Sequence, residues 1–361
     1  MVGVGAIPRI LLAAGALPAP FTNFTWSDIL FTWQRGLAGG HVPYWDAYFE
    51  YPPLDGYLSA LFATLVPSPV AYVSLWSILQ VAAAATVAWA LPRDRAQWWA
   101  WALAPQLALF GPMNFDLLAI AALVIALRWD DGRAHFRSIV ALAAGTAAKL
   151  FPATALPLFL VRRPIDIRGA TLRLALFSAV IAACYAPSAG ARFSSLESLT
   201  RYSVGIGANF DSVWGIAGGA MTVMGLPAAP ILVIVTSMGL LATYLLVVVP
   251  AARRTRDPVV PVALAILTVL IWSRLYSPQF SLWVLPFFAM GALPIRAFAL
   301  LTAADAAVFL SIYPLTLVEH VTDEMQTLLL AVLAASIVLR HAALLGAWVS
   351  ARRTAGFSSP S

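Results

Sequence analysis

From Ser212 to Ala252 the chain carries no charged residue. That run exceeds the roughly 17 to 25 apolar residues of one bilayer crossing, so it predicts a full crossing plus a shorter re-entrant piece. Inside hydrocarbon a segment of this kind satisfies its backbone as a helix. The same character extends along the whole sequence. Of 361 residues 61% are hydrophobic and only 11% charged, and the mean hydropathy is +0.85. These values exclude a soluble globular enzyme and a disordered chain. The 25 prolines and 22 glycines predict interrupted helices, which membranes tolerate where neighbours or water satisfy the freed backbone groups. The expectation is an all-α integral membrane protein, with residues 1–361 forming a single transmembrane domain.

The charges set orientation. The net charge of +6 needs no nucleic-acid partner in a membrane chain, and the lone Cys184 excludes an intrachain disulfide and a cysteine metal site. Arginines cluster at Arg93 and Arg95, at Arg128, Arg133 and Arg137, at Arg162, Arg163 and Arg168, at Arg253, Arg254 and Arg256, and at Arg352 and Arg353. The positive-inside rule makes these cytoplasmic. Residues 21–56, 188–212, 273–280 and 316–324 then fall on the outer face.

The resulting parse has spans near 3–20, 70–91, 97–111, 113–128, 170–187, 228–250, 258–273, 279–295, 297–315 and 325–347. A short helix at 54–66 dips in, and 138–161 goes up and returns, broken near Phe151-Pro152. This gives about twelve crossings with both termini inside and a cytoplasmic tail at 352–361. The N-terminal run resembles a signal peptide, but its removal would invert the parity that the arginines require, so it is read as a span.

Chemistry concentrates in the first external loop, 21–56, where Asp28, Arg35, His41, Asp46, Glu50 and Asp55 stand among aromatics. Ser27 or Asp28 can cap a short interfacial helix; alternatively the Asp28 carboxylate is a general base facing a membrane cavity. Lys149 is the only lysine among 22 basic residues. At about 1.5 Å per residue, the helix from Arg137 raises it about 18 Å above its cytoplasmic end, inside a core of about 30 Å. An ionisable group at that depth either snorkels or serves function, and a compact ammonium suits a phosphate. Arg274, beside Pro278, and Arg201 are weaker candidates for the same role. Asp116 either caps a helix after Gly111-Pro112 or contacts substrate. His320 is a solvated loop residue or meets a phosphate or sugar hydroxyl. No outer loop offers clustered metal ligands, so neither a metal nor a cofactor is expected. Asp305 and Arg340 reach similar depth, about 13 Å inside, and are expected to pair.

Five segments in order carry a resemblance: Asp28; Glu50-Tyr51-Pro52-Pro53-Leu54; Asn114-Phe115-Asp116-Leu117-Leu118-Ala119; Ala148-Lys149-Leu150-Phe151-Pro152; and Ser277-Pro278-Gln279-Phe280 with Leu282-Trp283-Val284-Leu285-Pro286. Together they resemble the GT-C superfamily and, within it, bacterial glycosyltransferase family 87, many of whose members look like polyprenyl-phosphate-mannose-dependent mannosyltransferases. Arg274 stands where relatives more often show lysine, and Phe115 where tryptophan is common.

The resemblance implies a GT-C-type helical bundle with short or broken helices at the outer face. It also implies an inverting transfer of mannose from a polyprenyl-phosphate donor to a hydroxyl of a glycolipid or cell-envelope glycan. Asp28 would be the base, Lys149 with Arg274 or Arg201 would hold the donor phosphate, and Glu50, Tyr51, Asp116, Gln279 and His320 would contact substrate. The partners are then the lipid-linked sugar, the acceptor and membrane lipid. The opposing reading is a transporter or lipid flippase, which would show pseudo-symmetric halves, and none is evident.

Overall fold

The computed structural model describes every residue except 93–96, 131–135, 162–165, 206, 256, 320 and 358–361, together with the backbone alone at 203–205. Arg93, Arg95, Arg133, Arg162, Arg163, Arg256 and His320 therefore lie outside the described residues. Two compact units emerge: Met1–Leu91, Leu107–Leu156 and Asp166–Gly205 form the first, and Pro92–Gln106, Pro157–Ile165 and Ile206–Ser361 the second.

The first unit comprises α1 (Val2–Ala13), α2 (Asp28–Arg35), α3 (Pro53–Leu65), α4 (Pro69–Ala90), α5 (Asp116–Trp129), α6 (Phe136–Ala148), α7 (Ile167–Tyr185) and α8 (Ser195–Gly205). The second holds α9 (Val213–Val223), α10 (Ala228–Arg254), α11 (Val259–Trp272), α12 (Ile295–Leu317) and α13 (Asp323–Thr354). Local chemistry fixes the boundaries. Ser68 accepts the Ala71 N–H at 3.3 Å with Pro69 at the first helical position of α4. Asp166 accepts from Gly169 N at 3.0 Å to start α7. Asp323 and Glu324 open α13, and Arg352 and Arg353 close it, as the helix dipole favours.

The all-helical membrane architecture is as expected. About twelve crossings were expected; among the described residues five helices are long and apolar enough for one each: α4, α7, α10, α12 and α13. Others are shorter than expected. The run 3–20 is helical only to Ala13, because Gly15 turns left-handed at φ 65° and Pro18 and Pro20 follow. The run 97–111 splits into Trp98–Ala102 and Pro105–Leu109. The run 279–295 becomes a 3₁₀ turn, Pro278–Trp283, and a short helix, Leu285–Ala289, ended by Gly291 at φ 71°. The charge-free run 212–252 resolves as anticipated into half-length α9 and full-length α10. The break expected near Phe151-Pro152 falls at Lys149-Leu150, between α6 and a 3₁₀ turn, Phe151–Ala155.

Asp305 and Arg340 form no salt bridge, which corrects the expected pair. Within the second unit Arg340 donates through Nη2 to the Asp211 carbonyl, and its guanidinium lies 4.2 Å over the Tyr276 ring. Asp305 accepts instead from Ser281 Oγ at 2.8 Å and Gln106 Nε2 at 3.2 Å. The two are linked instead through Tyr276, whose ring lies under Arg340 and whose hydroxyl is 2.8 Å from Ser281 Oγ, the donor to Asp305.

In the first unit, α1 anchors the loops that carry the polar residues. Arg9, buried at 3% exposure, donates to Trp26 O at 3.1 Å, Leu109 O at 2.6 Å and Gly5 O at 2.8 Å. One turn earlier, a side chain at Gly5 would collide with the Ala108 backbone, so only glycine permits this approach. Gly5→Val should therefore lower unfolding stability by about 1–3 kcal/mol, read as a reduced melting temperature in detergent.

Candidate active site

Asp28 opens α2, but Ser27 is its cap: Ser27 Oγ accepts the Leu30 N–H at 3.1 Å. The Asp28 carboxylate is thereby free of the capping role and faces inward. Its Oδ1 accepts from Trp26 Nε1 at 2.7 Å and its Oδ2 from Asn114 Nδ2 at 2.6 Å. The Asp28 N–H donates to Met113 O at 3.0 Å, which ties the first loop to the 110–115 loop. The residue as a whole is half-buried.

Asn114 is the hub. Its backbone carbonyl accepts from Gln80 Nε2 on α4 at 2.7 Å, and its Oδ1 accepts from Phe115 N at 2.6 Å and from Lys149 Nζ at 3.4 Å. Its Nδ2 also lies 3.3 Å from the Tyr51 hydroxyl. Two residues further on, Asp116 is the first residue of α5, capped by Phe115 with no side-chain bond, and its carboxylate pairs with Lys149 Nζ at 3.3 Å. Helix capping is thus not the role of Asp116.

Lys149 sits where α6 stops, its N–H still bonded to Gly145 O at 2.9 Å. Its side chain is 12% exposed and turns into the cluster, 5.0 Å over the Tyr51 ring, where the sequence also allowed snorkelling. Below, Phe115 meets Tyr51 at 4.9 Å and Trp76 at 4.6 Å, an apolar floor that limits water.

Burial raises the Asp28 carboxyl above the ordinary aspartate range; the Trp26 hydrogen bond, Lys149 and Asn114 oppose this in that order, and Asp116 adds to the rise. Burial, then the Asp28 and Glu50 charges, pushes the Tyr51 phenol well above its usual value, so it stays protonated.

The remaining sequence candidates are placed as follows. Glu50 is held by Arg35 through two bonds, 3.0 and 2.5 Å. Arg201 pairs with Glu197 at 2.7 Å on the exposed face of α8, one turn away, an arrangement worth about 0.3–0.5 kcal/mol. Asp46 accepts from Val42 N at 3.3 Å within its own loop. Arg274 and Gln279 belong to the second unit, where Arg274 donates to Gly207 O at 3.1 Å and Gln279 is buried. The first unit therefore brings together Asp28, Tyr51, Asp116 and Lys149. Sequence reasoning missed Trp26, Gln80 and the central part of Asn114, although Asn114 heads one of the recurring segments.

This arrangement defines an all-helical membrane protein with an acid, an amide and an ammonium gathered at a helix break. The chain belongs to glycosyltransferase family 87, whose family model matches residues 48–278, and is therefore a glycosyltransferase. That span includes Tyr51, Asn114, Asp116 and Lys149, while Trp26 and Asp28 precede it. No curated protein and no solved structure matches the chain.

The hydrogen bonds yield a stability test. Asp28→Asn sets one amide N–H₂ against either the Asn114 amide or the Trp26 N–H, a donor facing a donor, at a cost of about 1–3 kcal/mol. Adding Asn114→Asp returns an acceptor to each donor and keeps the net charge. Thermal unfolding should show the single variant destabilised and the exchanged pair restored.

Proposed function

We propose that this glycosyltransferase inverts the anomeric carbon while moving a sugar, mannose, from a polyprenyl-phosphate donor to a hydroxyl of a glycolipid or cell-envelope glycan. The reaction would take place at the outer face of a plasma membrane in which both termini are cytoplasmic. The observation that carries this reading is the pairing of Asp28 with Lys149 through one side chain, Asn114, a base and a cation fixed at neighbouring positions.

In the step envisaged, Asp28 takes the proton of the acceptor hydroxyl as its oxygen forms a bond to the anomeric carbon. The bond from that carbon to the phosphate oxygen breaks, and the lipid phosphate leaves with the electron pair. A phosphate needs no acid to depart, so one carboxylate suffices. Lys149 stabilises the charge that gathers on the leaving group. Arg274 and Arg201 are further candidates for the phosphate, and Glu50, Tyr51, Asp116, Gln279 and His320 for the sugars. The chemistry needs no metal or cofactor in this scheme.

Incubation of the purified protein with radiolabelled polyprenyl-phosphate mannose and candidate glycolipids tests the reaction directly. Asp28→Asn should lose at least about 100-fold in transfer rate while retaining donor binding. The pair Asp28→Asn with Asn114→Asp should refold the site without restoring transfer, which separates a missing base from a missing hydrogen bond. Near-normal transfer by Asp28→Asn would remove Asp28 from the mechanism and point to Glu50.

Lys149→Met should cost on the order of 2 to 4 kcal/mol of transition-state stabilisation. It also has a pH signature. The base works when ionised, so activity rises with pH through its pKa; the ammonium lowers that pKa, and its loss moves the acid limb of the pH–rate profile to higher pH. A limb that stays in place would separate Lys149 from Asp28 electrostatically.

A further inference from the structure

The mechanism leaves two acids of the first loop unused, Asp46, which is bonded within its own loop, and Asp55. Asp55, in the first turn of α3, is fully buried, and neither carboxyl oxygen has a hydrogen-bond partner. One turn on, the equally buried Ser59 hydroxyl and Trp76 Nε1 on α4 both lie by the Tyr72 hydroxyl and give Asp55 no hydrogen bond. The charges that act on Asp55 are Lys149 and Asp116, and the same two act on Asp28. Lys149 pairs with Asp116 and lies 5.0 Å over the ring of Tyr51, four residues before Asp55, so the three acids share one cation.

Their surroundings differ. Asp28 has two donors and Asp116 has its ion pair with Lys149, whereas Asp55 has neither. A helix N-terminus contributes only about 0.3–1 kcal/mol to an acid beside it, far below the cost of an uncompensated buried charge. The start of α3 is also held in place. Gly56 lies against the Tyr44 ring so closely that no side chain fits, and Tyr44 Oη donates to Tyr51 O at 2.8 Å and Pro52 O at 3.0 Å, locking the start of α3.

We propose that Asp55 is a positioning residue, held as a neutral carboxylic acid so that the Lys149 ammonium remains available to the donor phosphate. Loss of its proton to solvent would place a third carboxylate beside Lys149 and draw the ammonium away from the phosphate. The inference rests on the reading of Lys149 as the phosphate ligand. The other ionisable groups on which Asp55 acts are Tyr44 from the loop and Tyr72 on α4. Neither is a cation, so Lys149 is the group its ionisation would engage.

Infrared spectroscopy of the full chain in detergent, with isotope-labelled aspartate, reads the proton without reference to activity. At neutral pH the wild type should show the carbonyl stretch of a buried, weakly hydrogen-bonded carboxylic acid, absent from Asp55→Asn. The KM for polyprenyl-phosphate mannose should rise by about tenfold as that band disappears with increasing pH. Asp55→Asn should lack this rise over the same pH range. Absence of the band at neutral pH, or the same alkaline rise in wild type and Asp55→Asn, would overturn the proposal. Failure of the parent reading looks different: Lys149→Met would leave the donor KM unchanged while the band persisted.

Discussion

The Asn114 side chain is the joint on which the site depends. One planar amide donates to the carboxylate of Asp28 and accepts from the ammonium of Lys149, so a single rotamer sets the relation between groups far apart in sequence. The rotamer is itself fixed from both ends. Gln80 on α4 holds the Asn114 carbonyl, and Phe115 N bonds back to its side chain. An amide with its polar atoms committed resists reorientation, and fixed dipoles of this kind are what stabilise changing charge without rearrangement.

Charge balance explains the composition of this cluster. In a low-dielectric interior each ionised group needs a partner, and removing one partner leaves the other exposed to the full cost. Asp116 pairs with Lys149, Glu50 with Arg35, and Asp28 relies on neutral donors, Trp26 and Asn114. A carboxylate held by neutral donors can gain a proton and lose it again without breaking an ion pair. One held by an arginine, as Glu50 is, would have to give that pair up.

Much of this was legible in the sequence. A single lysine among 22 basic residues signalled a cation chosen for its chemistry, and the proline two residues past Leu150 signalled the break that presents it. The polar first loop was equally plain. Other features depend on contacts that spacing does not encode. Ser27 and Asp28 are both good helix caps, and only the turn geometry decides that Ser27 takes the role. Asn114 looks like an ordinary loop residue until the loop folds against Asp28. Asp305 and Arg340 meet through Tyr276 and Ser281 and not directly, because hydropathy fixes position along a helix and not around it. The short first helix shows the same limit, since hydropathy continues past Ala13 while the backbone turns at Gly15.

The opposed influences on Asp28 follow from what a base must do. A carboxylate at the ordinary aspartate value is a weak base, because most of the driving force for proton uptake is lost at neutral pH. Desolvation strengthens it by disfavouring the charged form, but carried too far it would leave the group protonated and inactive. Trp26, Lys149 and Asn114 restrain that rise from separate directions, two as hydrogen-bond donors and one as a charge. In the proposed reaction Lys149 would act on both sides, helping to keep the base ionised and meeting the phosphate. A donor phosphate that engaged the ammonium would partly cancel the positive field at Asp28 and raise its affinity for a proton. Donor binding would therefore strengthen the base at the point in the cycle when the acceptor hydroxyl must be deprotonated, an ordering that follows from placing one lysine between two acids and a phosphate.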